Sequence, residues 1–343
     1  MSDGPPPRLH FGGPDRPQRF LRDLLQARIE AVPSGGEIAW VTYYFRDRAL
    51  ADALIRASDR GVRVRVAIEG EPRNPTVNAA VVAMLRDHGL RGGLVVHRPH
   101  DPRFGRRAYL HSKIYLFSHP SPHALVGSFN PSGDEPEDDA ILADIGDQDR
   151  GHNLLVELSD ARLVRGLRKR VGAIGRPLPK LSLSHNLGLA SGPTRMFFYP
   201  RLRTDCIGPE IRALGPGDRV VGAISHLKPD LLTDALAAAA QRGASVSLIV
   251  HDTDRRVPEE SVEQLSAAGS RIRRYEHPQG LPLHAKFLLV ERAGESAAWF
   301  GSFNFNKRSR LYNHELLVRS TDPFIVAGLA ERYREISAEV TTS

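Results

Sequence analysis

Two separated stretches of the chain carry the same order of apolar and polar patterns. In the first, EIAWVTYYF (37–45) reads as a strand. RDRALADALIRASDRG (46–61) has helical apolar spacing and ends at a glycine, and VRVRVAIEG (62–70) alternates like a strand whose polar face is Arg63 and Arg65. In the second, RVVGAISHL (219–227) predicts a strand, KPDLLTDALAAAAQRG (228–243) a helix and ASVSLIVHD (244–252) the next strand. Each stretch then runs through a second helix into an apolar strand opened by His-x-Lys, LHSKIYLF (110–117) and LHAKFLLV (283–290). A strand containing GSFN follows, at 127–130 and 301–304. The last strands are GHNLLVEL (151–158) and NHELLVRS (313–320), and closing helices are expected at about 160–174 and 322–338.

The offsets argue for duplication. His111 and His284 are 173 residues apart, Gly127 and Gly301 are 174 apart, and Asn153 and Glu315 only 162. The shortfall is an acidic insertion in the first copy, PSGDEPEDDAILADIGDQDR (131–150). The expected organisation is a flexible N-terminus (1–14), a first domain (15–174), a linker rich in Pro, Ser, Gly and Leu (175–194), and a second domain (195–343). Strands alternating with helices predict two similar mixed-sheet α/β domains, and a duplicated unit is expected to meet its copy about a pseudo-two-fold axis.

The repeated block carries candidate chemistry. Residues i and i+2 of a strand share a face, so His111 and Lys113 form one pair and His284 and Lys286 another. A neutral imidazole can serve as nucleophile or general acid/base, and a neighbouring ammonium supplies fixed positive charge. Two such pairs around one space would suit a phosphodiester: one His attacks phosphorus, the other protonates the leaving oxygen, and the lysines hold the non-bridging oxygens. In GSFN, Gly permits close approach, while Ser128, Asn130, Ser302 and Asn304 could ring the phosphate.

Composition narrows this only mildly. The 343 residues are 41% hydrophobic and 25% charged, as in an ordinary soluble protein, and no apolar run is long enough to span a bilayer. The polar N-terminus lacks the apolar segment of a secretory signal, so the expected location is cytoplasmic. The single Cys206 excludes an internal disulfide and a cysteine-cluster metal site. A net charge of +7 favours an anionic partner.

The paired His-x-Lys strands, each followed by G-S-x-N, resemble the phospholipase D superfamily. The segment LADALIRASDRGVRVRVAIEG and the pattern GSFNFNKRSRLYNHELLV (301–318) add to the likeness, which covers about 37–158 and 219–320. The resemblance implies a metal-free, two-step reaction through a covalent phosphohistidine, ending in hydrolysis or transfer to another alcohol. It assigns Glu315 to orient His111, which makes His111 the nucleophile and His284 the general acid and then base. No cofactor or metal is expected, and the chain is expected to act as a pseudo-dimeric monomer.

The sequence departs from the family's HxKxxxxD at Ser118 and Glu291, and Asn153 stands where the second copy has Glu315. Asn153 is expected to face the substrate, with Glu157 or an acid of the insertion as a stand-in carboxylate. Lys307, Arg308 and Arg310 follow the second GSFN closely and are expected near the substrate. The basic helix around 160–180 reads as a solvated face before a phosphate track, and the acidic insertion as a solvated loop before a lid. Nucleic acid is the favoured substrate; phospholipid, or a non-catalytic binding role in a larger assembly, are the alternatives.

Overall fold

The structure, a computed structural model, describes residues 5–98, 100, 101, 106–133, 138–175 and 187–342. Residues 1–4, part of the acidic insertion (134–137) and most of the expected linker (176–186) lie outside the described residues. The chain divides into two compact units, Met1–His185 and Asn186–Ser343.

The first unit runs β1 (Arg8–Gly12), α1 (Phe20–Glu30), β2 (Glu37–Thr42), α2 (Arg48–Asp59), β3 (Arg63–Glu69), α3 (Ala79–His88), β4 (Leu94–His97), a short ribbon of β5 (His100–Asp101) and β6 (Arg106–Arg107), β7 (Ile114–Phe117), β8 (His123–Gly127), α4 (Asp139–Ile145), β9 (Asn153–Leu158) and α5 (Ala161–Ala173). Its seven-stranded sheet has the order β1-β9-β8-β7-β2-β3-β4. The pairs β2–β3 and β3–β4 are parallel, and the remaining pairs are antiparallel.

The second unit runs β10 (Leu189–Ser191), β11 (Thr194–Phe198), α6 (Gly208–Arg212), β12 (Arg219–Ile224), α7 (Leu231–Gln241), β13 (Ser245–His251), α8 (Glu259–Ala267), β14 (Arg271–Tyr275), β15 (Lys286–Arg292), β16 (Glu295–Gly301), α9 (Lys307–Leu311), β17 (Leu316–Ser320) and α10 (Pro323–Thr342). Its order, β10-β11-β17-β16-β15-β12-β13-β14, repeats that of the first unit strand for strand, with β10 added at one edge. Both units are therefore mixed-sheet α/β folds with the same topology.

Local chemistry explains the element ends. Asp47 caps α2 by accepting from the Leu50 N–H at 2.8 Å. Asp160 caps α5, which buries Leu163, Val164, Leu167 and Val171 as its spacing predicts. Strand β2 stops at Thr42, three residues before the apolar run ends, because side-chain amides replace the sheet ladder. The Phe45 N–H donates to Asn78 Oδ1 at 2.8 Å, and Asn78 Nδ2 donates to the Tyr43 carbonyl at 2.7 Å.

Two expectations for connecting segments need correction. The N-terminus is not flexible throughout: β1 pairs along β9, with Phe11 opposite Leu154, and His10 Nε2 lies 3.0 Å from Glu157 Oε2. The end of the expected linker is a hairpin, β10 with β11, turning at Gly192 in a left-handed conformation (φ 50°).

Candidate active site

In the first unit the chain enters β7 through Leu110-His111-Ser112-Lys113. Glu69, at the end of β3, holds this entry: its Oε2 accepts the Leu110 N–H at 2.8 Å, and its Oε1 accepts the Glu71 N–H at 2.9 Å. Burial pushes the Glu69 carboxyl up to about 7, against the pull of those backbone donors. Lys113 is fully buried, and its Nζ turns back to donate to the His111 carbonyl at 2.6 Å. Tyr43 lies beneath both: its ring centroid is 4.9 Å from that of His111 and 5.5 Å from Lys113 Nζ. The Tyr43 hydroxyl accepts the Arg73 N–H at 2.7 Å, and Tyr44 and Tyr109 pack on its ring.

The second unit repeats the arrangement. Lys286, the first residue of β15, donates from Nζ to the His284 carbonyl at 2.7 Å. The Ser225 N–H, just past β12, donates to the Ala285 carbonyl at 2.9 Å. Ser225 stands where the first unit has Tyr43, so a hydroxyl side chain takes the place of that ring.

The glycine of GSFN is required by close packing. A Cβ on Gly127 would stand 2.1 Å from the Leu154 carbonyl oxygen, and one on Gly301 would stand 2.3 Å from that of Leu316. The following serine ties this strand end to the last strand. Ser128 Oγ donates to Asn153 Oδ1 at 2.9 Å and accepts the Leu154 N–H at 3.0 Å. Ser302 Oγ donates to Glu315 Oε2 at 2.6 Å and accepts the Leu316 N–H at 3.0 Å. Asn153 and Glu315 are thus the same position in the two copies. The serine hydroxyls, expected to face a ligand, are committed to these side chains and position them instead.

Glu315 is buried and accepts two more donors, Ser309 Oγ at 2.6 Å and Asn313 Nδ2 at 3.4 Å. Sequence reasoning missed both roles, although the R-S and N-x-E letters of the second copy contain them. Asn153 donates through Nδ2 to the Gln148 carbonyl at 3.0 Å, so the insertion supplies its support. Asn130 Oδ1 accepts the Tyr44 N–H at 3.3 Å. Asn304 Oδ1 is buried with no hydrogen-bond partner among the described residues, leaving an acceptor for a bound group.

Several expected participants lie elsewhere. Glu157 sits at the far end of β9 from Asn153, held by His10 and Arg28 at 3.0 Å each, and does not stand in for a carboxylate at the site. Ser118 accepts the Glu37 N–H at 2.8 Å, and Glu291 pairs loosely with Arg219 at 3.8 Å. Both are five residues beyond the motif lysine, roughly 16 Å along a strand, so the departures from HxKxxxxD fall away from the His-x-Lys pairs. Arg310 is bound bidentately by Asp230, with Nη2–Oδ1 at 2.7 Å and Nε–Oδ2 at 2.8 Å, and serves the fold. Lys307 and Arg308 are exposed at the start of α9.

The acidic insertion is not a free solvated loop in its described part. Ile145 and Ile141 of α4 pack with Tyr43 and Tyr44, and Asp144 takes Arg73 at 2.8 Å and Asn74 at 3.0 Å. The helix therefore covers the aromatic floor of His111.

A family model described as "Cardiolipin synthase, PLD-like domain" matches residues 30–136 and 216–337, taking in both His-x-Lys and GSFN blocks. The chain belongs to this phospholipase D-like family. Its superfamily comprises enzymes acting on phosphodiester bonds. Cardiolipin synthase B of Escherichia coli K12 is 32% identical over 116 residues, a match covering 34% of this chain and 24% of that protein. Among solved structures, phosphatidylserine synthase from Haemophilus influenzae Rd KW20 superposes with a TM-score of 0.69 at 13% identity, over 97% of this chain and 86% of that one. Polyphosphate kinase from Porphyromonas gingivalis gives 0.62 at 14% identity, over 96% and 50%. At such identities the structural likeness establishes the fold. No helix among the described residues of this phospholipase D-like chain is long and apolar enough to cross a membrane.

Proposed function

We propose that the chain is a metal-independent phosphodiesterase of phospholipase D type, and that its substrate is a nucleic-acid phosphodiester. His111 attacks phosphorus and forms a P–N bond as the P–O bond to the leaving group breaks. His284 gives its proton to that oxygen. His284 then takes a proton from water, the water oxygen attacks phosphorus, and the P–N bond breaks to restore His111. Lys113, Lys286, Asn130 and Asn304 hold the non-bridging oxygens, and Glu315 is the carboxylate that supports the nucleophile.

The observation that carries this reading is the contact shared by the two His-x-Lys pairs, each with its lysine ammonium folded to the histidine carbonyl. The asymmetry of Glu315 against Asn153 supports unequal roles for the two histidines. The charge of +7 and the exposed Lys307 and Arg308 favour a polyanion. The names of the lipid-acting relatives favour a second reading, phospholipase or phosphatidyl transfer.

The test is hydrolysis of bis(p-nitrophenyl) phosphate in EDTA by the wild type, His111→Ala and His284→Ala, followed by DNA, RNA and anionic lipid vesicles. Activity that survives the chelator and is lost in both variants is expected. Activity unchanged in the variants would move the chemistry away from the duplicated block. Turnover of vesicles but of neither polymer would replace the nucleic-acid reading by the lipid one.

A further inference from the structure

His111 is held through its backbone from both sides in the chain, by groups of opposite charge. After it, Lys113 Nζ donates to the His111 carbonyl at 2.6 Å; before it, Glu69 Oε2 accepts the Leu110 N–H at 2.8 Å. Glu69 ends β3 and is fully buried. Its other oxygen is committed as well, to the Glu71 N–H at 2.9 Å, and its main-chain carbonyl accepts Asn78 Nδ2 at 2.8 Å. The same Asn78 Nδ2 donates to the Tyr43 carbonyl at 2.7 Å. One carboxyl and one amide therefore tie the ends of β2 and β3 to the segment that carries His111.

The second unit lacks this carboxyl. His251 ends β13 as Glu69 ends β3, each one residue past the last pair with the neighbouring strand. Its imidazole is engaged by its own loop: Nδ1 lies 2.5 Å from Asp252 Oδ1 and 3.2 Å from the Thr253 nitrogen. Arg274 fixes that loop through the Asp252 carbonyl and Asp254, both at 3.0 Å. Lys286 repeats the contact of Lys113, whereas the end of β13 has no carboxylate to repeat that of Glu69.

An ionised carboxylate offers acceptors only, which suits two N–H donors, one on each oxygen. A proton on either oxygen sets an O–H against one of those donors, and the hold on the two amides loosens. Burial raises the Glu69 carboxyl to about 7, so this exchange falls where an imidazole also titrates. Its titratable neighbours among the described residues are Glu71 on the same turn, His97 opposite it on β4, Tyr43 beyond β2 and Lys113 on the entry segment. His97 Nε2 is 4.0 Å from Glu69 Oε2 and 2.9 Å from the Ala108 carbonyl, and the Tyr43 hydroxyl accepts the Arg73 N–H at 2.7 Å.

We propose that Glu69 is a positioning residue for the attack on phosphorus: its carboxylate latches the His111 segment to the end of β3, and its protonation loosens the latch. The role rests on the assignment of His111 as nucleophile above. Glu69 touches no reacting atom and acts through the Leu110 backbone. Misplacing a reacting group by about 1 Å costs on the order of 10²-fold in rate, so one backbone bond beside the nucleophile is enough to matter.

The experiment follows the Leu110 and Glu71 amides of wild type by NMR across neutral pH. It also measures kcat/KM for bis(p-nitrophenyl) phosphate over the same range in wild type and Glu69→Gln. The latch predicts that both amide signals shift with one midpoint near 7 in wild type, and that Glu69→Gln lacks this titration. The parameter kcat/KM covers the attack on phosphorus and should carry a step at the same midpoint. In Glu69→Gln, whose amide oxygen accepts one donor only, the step should disappear and the plateau fall roughly tenfold. A loss of stability alone would scale the whole profile and leave the step in place. Amides that do not titrate, a step that stays in Glu69→Gln, or a plateau within about twofold of wild type would overturn the proposal. Should Glu69→Gln not fold, wild type carries the test, and an amide midpoint absent from its rate profile overturns the role. If His111→Ala keeps its activity, the nucleophile assignment fails separately. The amides then decide: a shared midpoint retains the latch as a hold on the strand, and none removes it.

Discussion

Asn153 and Glu315 occupy one position in two copies of the same sheet, and each is held by the serine of GSFN. The side chains differ in charge, and only the carboxylate can stabilise an imidazolium. Glu315→Gln is therefore expected to lower kcat roughly 10²-fold, the order of general acid–base effects, and by more than Asn153→Ala does. Equal losses in the two variants, measured on bis(p-nitrophenyl) phosphate across pH, would contradict unequal roles. Two other carboxyls should set the pH dependence of stability in opposite senses. For Glu157, burial is outweighed by His10 and Arg28, which hold the folded pKa at about 2; its contribution is complete above the ordinary carboxylate range and is lost as pH falls through 2. Burial raises Glu69 to about 7, so the folded state keeps its proton longer than the unfolded chain, and stability falls as pH rises from about 4.5 through 7. Thermal unfolding of Glu157→Gln should lose the acid limb, and that of Glu69→Gln the decline towards neutrality. Unchanged profiles would show that these carboxyls do not carry it.

Among the elements, those with an internal pattern were readable from sequence. The alternation of β3 and β13 and the four-residue apolar stripe of α5 need no distant partner to be recognised. Strand β1 was not readable: RLHFG is short and lies among prolines and glycines, and its stability comes from pairing with β9 some 145 residues later. Helix α4 was hidden by its acidity, because Ile141 and Ile145 reveal a buried side only once Tyr43 and Tyr44 are in place. The His-x-Lys pairs and GSFN were legible by repetition. The commitment of Ser128 and Ser302 was not, because a hydroxyl can serve a ligand or the fold equally well. Gly301 carries a prediction at this scale. Its φ is 143°, and an added Cβ would stand 2.3 Å from a backbone oxygen of β17. Gly301→Ala should cost about 2–4 kcal/mol in denaturant unfolding. A loss below 0.5 kcal/mol would mean that the strands part easily there.

At the scale of the whole molecule, the repeat in sequence is a repeat in sheet order, strand for strand from β1 to β9 and from β11 to β17. Divergence is concentrated in the connections. The first unit gained the insertion and its aromatic floor, while the second carries α9, the Arg274-fixed loop and the exposed cations. Duplication followed by such divergence gives two similar His-x-Lys settings, one with an asparagine at the start of its last strand and one with a carboxylate just before it. Repetition made the paired His-x-Lys and GSFN blocks legible, whereas the packing of these unlike connections is announced by no local pattern.

The central claim is that a phosphoryl group passes through His111. Rapid quench of wild type during turnover of a DNA substrate, under conditions that preserve phosphoramidates, followed by peptide mass spectrometry, tests it most directly. The account predicts a nucleotidyl adduct on the peptide containing His111, present during turnover and absent from His111→Ala. An adduct on His284 or on any other residue, or sustained turnover by His111→Ala, would contradict it.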